Sequence, residues 1–238
     1  MKTVIQADTL RRFAYLNDKV LAGSPRGLVF DFMGLGGLAM FDEDTPRGVK
    51  FGKEGILYCV PYLDPWNWMN PFAVRETDEI RAAIEAYCGV PDLPAVSTGG
   101  SMGGLCCLVY ARYAAVPVKA VAANCPVCDL PYHYTERPDL PRTLYAAFGT
   151  SGEETLDDAM KKASPLHLAE AGEMPVVPYV IFHCEEDRAV NKEKHSDRFV
   201  AALGKYAPVT YVPVPGRGHC DLGDMWEKYD EAILSFFA

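Results

Sequence analysis

The chain has 238 residues, enough for one full-sized domain with its own core, and its 49% hydrophobic and 23% charged residues lie near the globular average. Lys and Arg number 23 against 32 Asp and Glu, a net charge of −9, which is wrong for nucleic acid, whose binding depends on neutralising phosphates. The opening MKTVIQADTLRRF has no apolar stretch after its lysine, and the longest apolar runs, such as 175–182, are far too short to span a bilayer, so neither a signal peptide nor a membrane partner is expected. The eight cysteines fall mostly in apolar segments, which predicts reduced, buried thiols in a cytoplasmic protein rather than a disulfide framework.

Taken in chain order, the first strand is expected at 27–33 (GLVFDFM) and runs into a Gly-rich stretch, and the second at 55–60 (GILYCV). Residues 77–88 have helical spacing, with Ile80, Ile84 and Tyr87 on one face, Thr77 as N-cap and Gly89 as the stop. A strand at 94–98 leads into 104–115, which is apolar nearly all round and so predicts a buried helix, and a further strand follows at 118–124. The rhythm breaks at 129–165, where Pro131, Pro138 and Pro141 accompany several aromatics and one short helical stretch near 155–162. A simple crossover needs far fewer residues, so this segment is expected to be an insertion over one edge of the sheet, forming a small cap. Strands at 176–183 and 208–214 flank a helix at 191–203 carrying Phe199, Val200 and Leu203, and a last helix places Trp226, Tyr229 and Ile233 on one stripe. Near-continuous apolar strands alternating with helices predict an α/β fold: one domain over 1–238, with a predominantly parallel sheet covered on both faces.

The chemistry centres on Gly99-Gly100-Ser101-Met102-Gly103, which fits G-x-S-x-G between a strand ending at Thr98 and a buried helix. Small residues two positions either side of a serine are what a sharp strand-to-helix turn requires, because a Cβ there would collide with the strand or the helix. Serine needs a base, and the base needs an orienting acid; both are expected later in the chain, acid first. Glu185, Glu186 and Asp187 follow one predicted strand, and His219 follows the last. Cys125-Pro126-Val127-Cys128 is a C-x-x-C, but no second pair stands at zinc-binding spacing and no thioredoxin-like unit surrounds it. His133, His167 and His195 lack a partner pattern and read as surface or packing residues.

The segments GGSMGG (99–104), SPLHLAEAG (164–172), FHCEEDRAV (182–190) and PGRGHCDL (215–222) resemble the α/β-hydrolase superfamily, and within it the compact esterase and prolyl-oligopeptidase-like branches. The resemblance covers the second half of the chain; the first 25 residues match nothing in it. It implies the α/β-hydrolase fold and a triad of Ser101, Asp187 and His219, with Glu186 as the alternative acid. Met33-Gly34-Leu35-Gly36-Gly37 resembles the superfamily's His-Gly-x-Gly-Gly loop, with Met33 in place of the histidine. Backbone N–H groups of Met102 and Leu35 are then the expected oxyanion donors. Cys184 and Cys220 stand where the superfamily usually has Gly, placing two extra side chains near the site. Trp66 and Trp68 either wall a substrate pocket beside Gly34 or anchor their loop to the core. The resulting expectation is a serine hydrolase that cleaves a small carboxylic ester, with no metal or organic cofactor and an acid limb near pH 6–7. A small peptidase or amidase, and a non-catalytic hydrolase-fold binding protein, are the alternatives.

Overall fold

The computed structural model describes residues 5–149 and 154–238. Among these residues seven strands form one sheet: β1 (Ala14–Leu16), β2 (Gly27–Phe32), β3 (Ile56–Pro61), β4 (Ala95–Gly100), β5 (Ala120–Asn124), β6 (Tyr179–Cys184) and β7 (Val209–Val214). Their order is β1-β3-β2-β4-β5-β6-β7. All neighbours run parallel except β1, which pairs antiparallel with β3. This is the α/β-hydrolase architecture expected from the sequence, extended by the edge strand β1.

Successive side chains along each strand point to opposite faces, and the core divides accordingly. Leu28 and Phe30 join the core on one face while Val29 joins the other, and Tyr179 and Ile181 are separated from Val180 and Phe182 in the same way. The first face is covered by α2 (Pro71–Cys88), α3 (Met102–Tyr113) and α8 (Ser196–Leu203); the second by α1 (Pro46–Lys53) and α9 (Trp226–Ser235). Arg47 fastens α1 and α9 to the sheet. Its Nη1 donates to Asp31 Oδ2 at 2.5 Å and its Nε to Asp230 Oδ1 at 2.8 Å, between the rings of Tyr58 and Tyr229. Two carboxylates and two aromatic faces thus compensate a guanidinium removed from water.

Several helices depart from their predicted limits. α2 begins at Pro71, where Asn70 Oδ1 accepts from the Phe72 and Ala73 amides at 3.1 and 2.9 Å; Thr77 is buried inside it. Tyr87 is exposed rather than on the buried face of α2. Among its described residues the 129–165 segment holds three helices, α4 (Leu130–Glu136), α5 (Leu140–Phe148) and α6 (Leu156–Lys162), of which only α6 matches the expected helical stretch; α7 (Pro165–Glu170) begins where the segment ends. Pro71, Pro131, Pro141 and Pro165 each sit in a first helical turn, where proline's missing N–H costs nothing and its fixed φ suits the helix. Among the described residues no helix is long and apolar enough to cross a membrane.

Candidate active site

Parallel pairing brings the carboxyl ends of β2 to β7 to one edge of the sheet, where the loops of an open α/β sheet build a site. Gly100 pairs with Asn124 at the ends of β4 and β5, so the residues that follow, Ser101 and Cys125, emerge side by side. Ser101 occupies the turn between β4 and α3 with φ 59° and ψ −123°, a backbone region that side-chain-bearing residues rarely visit. Three bonds pin it there: its N–H donates to Asn124 O at 3.0 Å, and its carbonyl accepts from Leu105 N at 3.1 Å and Val127 N at 3.3 Å. The glycines are required by contact. A Cβ on Gly103 would strike the Phe32 carbonyl, one on Gly99 the Gly103 carbonyl, and one on Gly104 would lie 2.9 Å from Pro126 Cα. Only glycine lets the helix start this close to the neighbouring strand ends.

Of the three acidic candidates after β6, Glu185 and Glu186 are exposed, and Asp187 turns inward. Its Oδ1 accepts from the Ala189 and Val190 amides at 2.8 and 2.9 Å, and its Oδ2 accepts from His219 Nδ1 at 2.6 Å. His183, which no sequence signal singled out, lies behind it. His183 Nδ1 faces Ser196 Oγ at 2.6 Å, and its Nε2 faces Val190 O at 3.2 Å and Asp187 Oδ2 at 3.4 Å. A carbonyl can only accept, so Nε2 carries the proton and Nδ1 accepts from the serine. Burial works against the charge on Asp187, yet the hydrogen bonds from His183, His219 and the Val190 amide hold its carboxyl well below the usual range. Burial likewise opposes charging His219, but the Asp187 carboxylate and the Cys125 sulfur outweigh it and raise His219 to about 9. That is above the near-normal histidine expected from the sequence. His219 Nε2 faces Cys220 Sγ at 3.7 Å, and no hydrogen bond joins it to Ser101 Oγ in this state.

The loop after β2 reaches the same place. A turn over Gly34–Gly37 is closed by Gly37 N donating to Gly34 O at 3.0 Å, with Gly36 at φ 78°, and Gly36 N ties the loop to Pro65 O at 3.0 Å. Gly34 lies against the nucleophile: a Cβ on it would be 3.9 Å from Ser101 Cβ. The two tryptophans separate in role. Trp68 is only 1% exposed; its Nε1 donates to Thr143 Oγ1 of α5 at 3.1 Å and its ring meets His133 edge-on, so it anchors the loop to the inserted helices and walls no open pocket. Trp66 is half-buried with the Arg142 guanidinium 5.2 Å over its ring.

Among the described residues, three groups of titratable side chains have donor atoms close enough to share a metal ion. In His133, Glu136 and His195, Glu136 Oε2 lies 2.5 Å from His133 Nδ1 and 2.8 Å from His195 Nε2. His195 Nδ1 accepts from the Cys128 and Asp129 amides at 3.0 and 3.1 Å, so its proton stays on Nε2, which is then a donor to Glu136 and not a ligand. This is a closed network tying α4 to the 191–195 loop, and it makes His133 and His195 buried packing residues, not surface ones. His183 is disqualified from the second group, with Cys125 and Asp187, because its Nε2 proton is already committed. In the third group, Cys125, Cys220 and His219, the contacts are longer: the Cys220 thiol donates to Asn124 O at 3.7 Å and its sulfur stands 3.7 Å from His219 Nε2. Cys125 does not face its C-x-x-C partner, whose thiol donates to Pro126 O; its sulfur accepts instead from the Cys184 and Cys220 amides at 3.3 and 3.4 Å. The neighbouring Cys220 thiol and burial raise the Cys125 thiol, so it is no thiolate nucleophile at neutral pH.

Solved structures share the fold at low identity. An S-formylglutathione hydrolase from Agrobacterium tumefaciens superposes with a TM-score of 0.72 at 16% identity, covering 94% of this chain and 87% of that one. Esterase 2 of Thermogutta terrifontis, in its propionate-bound form, gives 0.67 at 20%, covering 94% and 87%. A puromycin-hydrolyzing peptidase of Mycobacterium tuberculosis gives 0.70 at 21%, covering 91% of this chain; the present chain spans only 34% of that peptidase's length. A search of curated protein sequences finds no match. The family match is more specific than these likenesses. It runs over residues 82–238, about two-thirds of the chain including β4 to β7, and by it the chain belongs to the prolyl oligopeptidase family of serine hydrolases.

Proposed function

We propose that the protein hydrolyses a carboxylic ester of a small substrate through Ser101, His219 and Asp187. The observation that carries this reading is the 2.6 Å contact between His219 Nδ1 and Asp187 Oδ2 at the sheet edge that displays Ser101 on its strained turn. With Nδ1 donating to Asp187, the lone pair of Nε2 is free to take the Ser101 proton as Oγ attacks the carbonyl carbon. The oxyanion so formed is held by the backbone N–H groups of Met102 and Leu35. Collapse expels the alcohol, which takes the proton from His219. Water then attacks the acyl-enzyme with the same base and releases the acid. No step calls on a metal or organic cofactor. In this reading the serine–histidine bond, which in resting sites is often long, closes as substrate binds. Trp66 and Gly34 border the acyl group in this reading, and the helices of the insertion stand over it as a cap on a single domain. Eight free thiols, most of them buried, fit a reducing, cytoplasmic setting.

Family membership favours a second reading, hydrolysis of an amide or peptide bond. A panel separates the two: p-nitrophenyl acyl esters of short and medium chain against aminoacyl p-nitroanilides, compared by kcat/KM. Ester turnover well above anilide turnover is expected, and anilide preference would replace the ester proposal with the peptidase one.

A further inference from the structure

We propose that Cys125, Cys220 and His219 form a site for a soft divalent cation of the zinc type, and that its occupancy switches hydrolysis off by taking the lone pair of His219 Nε2. The inference rests on the assignment of His219 as the base.

Three geometric features carry it. Cys125 Sγ, Cys220 Sγ and a ring nitrogen of His219 lie within 4.8 Å of one another. The separation of Cys220 Sγ from His219 Nε2 is 3.7 Å. Tetrahedral bonds of about 2.3 Å to sulfur and 2.0–2.1 Å to nitrogen set that edge at roughly 3.6 Å, so these two donors already stand at ligand spacing. Second, the outer partners are in place. His219 presents Nε2 while Nδ1 donates to Asp187, the carboxylate–histidine arrangement that orients metal-bound imidazole. Cys125 Sγ receives two backbone amides, from Cys184 and Cys220, which is how a protein stabilises a metal-bound thiolate. Third, the two sulfurs are held by unusual backbone: Cys125 and Cys220 have φ of 44° and 59°, values that side-chain-bearing residues rarely adopt. Cys125 is fully buried, whereas Cys220 and the His219 side chain, 28% exposed, form the entrance.

Binding changes no oxidation state. Each thiol releases its proton to solvent and donates a sulfur pair to the cation, and His219 donates its Nε2 pair; solvent fills the fourth position. An imidazole so engaged cannot accept the Ser101 proton, and a chelator restores it. Two soft thiolates and one imidazole select zinc-like ions over magnesium or calcium.

The test uses the full chain, reduced and freed of metal. Co²⁺ is titrated in while the near-ultraviolet sulfur-to-cobalt charge-transfer band is followed, and Zn²⁺ is titrated against p-nitrophenyl ester hydrolysis. One equivalent of Co²⁺ should generate the band, and Zn²⁺ should inhibit reversibly with respect to EDTA. Cys220→Ser, at the half-exposed position, and Cys125→Ser should each weaken binding by more than the ~10–100-fold that loss of an outer-shell partner costs. Circular dichroism confirms that each variant is folded, and inhibition is scored as the ratio with and without Zn²⁺ in the same variant. Ser101→Ala should retain the band. Absence of a band in the wild type, or a band and inhibition that survive both cysteine changes, would overturn the site. Wild type that binds Co²⁺ but hydrolyses nothing would sink the esterase reading while leaving the site; hydrolysis indifferent to Zn²⁺ would do the reverse.

Discussion

Asp187→Asn is nearly isosteric, and the structure dictates which end of the amide points where. Oδ1 of Asp187 accepts from the Ala189 and Val190 amides at 2.8 and 2.9 Å, so the asparagine oxygen must stay there. The NH₂ group is then forced onto the other side, where Oδ2 now receives His219 Nδ1 at 2.6 Å and approaches His183 Nε2 at 3.4 Å. A donor facing His219 Nδ1 reverses the imidazole: Nδ1 must accept, Nε2 must carry the proton, and the ring can no longer take one from Ser101. Where this tautomer reversal has been isolated in triad enzymes it costs about 10⁴ in kcat, or roughly 5.4 kcal/mol at about 1.36 kcal/mol per factor of ten. The assay is kcat/KM for p-nitrophenyl acetate against pH, with thermal unfolding to confirm that the fold persists. Asp187→Asn should drop turnover by that order and lose the elevated acid limb, while Glu186→Gln, at an exposed side chain, should stay within about twofold of wild type. Asp187→Asn activity within about tenfold of wild type, with the limb unmoved, would refute the reasoning.

The wild-type limb itself is informative. The neutral imidazole is the active form, so a histidine raised to about 9 moves the rise of kcat/KM toward that pH, above the 6–7 expected of an ordinary histidine. A midpoint at 6–7 would show that Asp187 and Cys125 do not act on His219 as the geometry implies. Gly103→Ala drives a Cβ into the Phe32 carbonyl. Overpacking of about 1–3 kcal/mol should lower Tm by roughly 2–4 °C per kcal/mol, and an unchanged Tm would contradict the close helix start. Glu136→Ala leaves two buried imidazole nitrogens without their acceptor, a loss of about 1–3 kcal/mol for each in urea unfolding. Burial opposes the charge on Glu136, but both histidines hold it down to about 2, so its stabilisation is present above the ordinary glutamate range and lost as pH falls through about 2. If Glu136→Ala unfolds at the wild-type midpoint, the network does not tie α4 down. EDTA should leave hydrolysis intact, and loss of activity would assign a metal an essential role.

The parallel core and the elbow were legible because their signals are local. Apolar runs mark buried strands, and a serine among glycines at a strand end marks a strained turn. Asp187 and His219 were legible from their order and their places after strand ends, although choosing Asp187 over Glu186 from geometry needed the fold, which turns one carboxylate in and leaves the other in solvent. Of the insertion's helices, α6 was legible near 155–162, whereas α4 and α5 were hidden by their prolines, which break a helix interior but open a first turn, and nothing in a short segment distinguishes the two. α1 was hidden by Gly48 and Gly52, where a Cβ would press on Tyr15 Oη and Val20 O. β1 is only three residues long and has no period to read. His183 and the Cys125–Cys220 pair were invisible for a different reason. Their meaning lies in partners up to 95 residues away, brought together by strand ends rather than by spacing.

Fluorophosphonate labelling of wild type and Ser101→Ala, with the modified residue mapped by mass spectrometry and p-nitrophenyl ester turnover measured in parallel, bears most directly on the central claim. Label on Ser101 alone, with labelling and turnover both abolished in Ser101→Ala, is the expected result. Label elsewhere, or turnover that survives in Ser101→Ala, would contradict it.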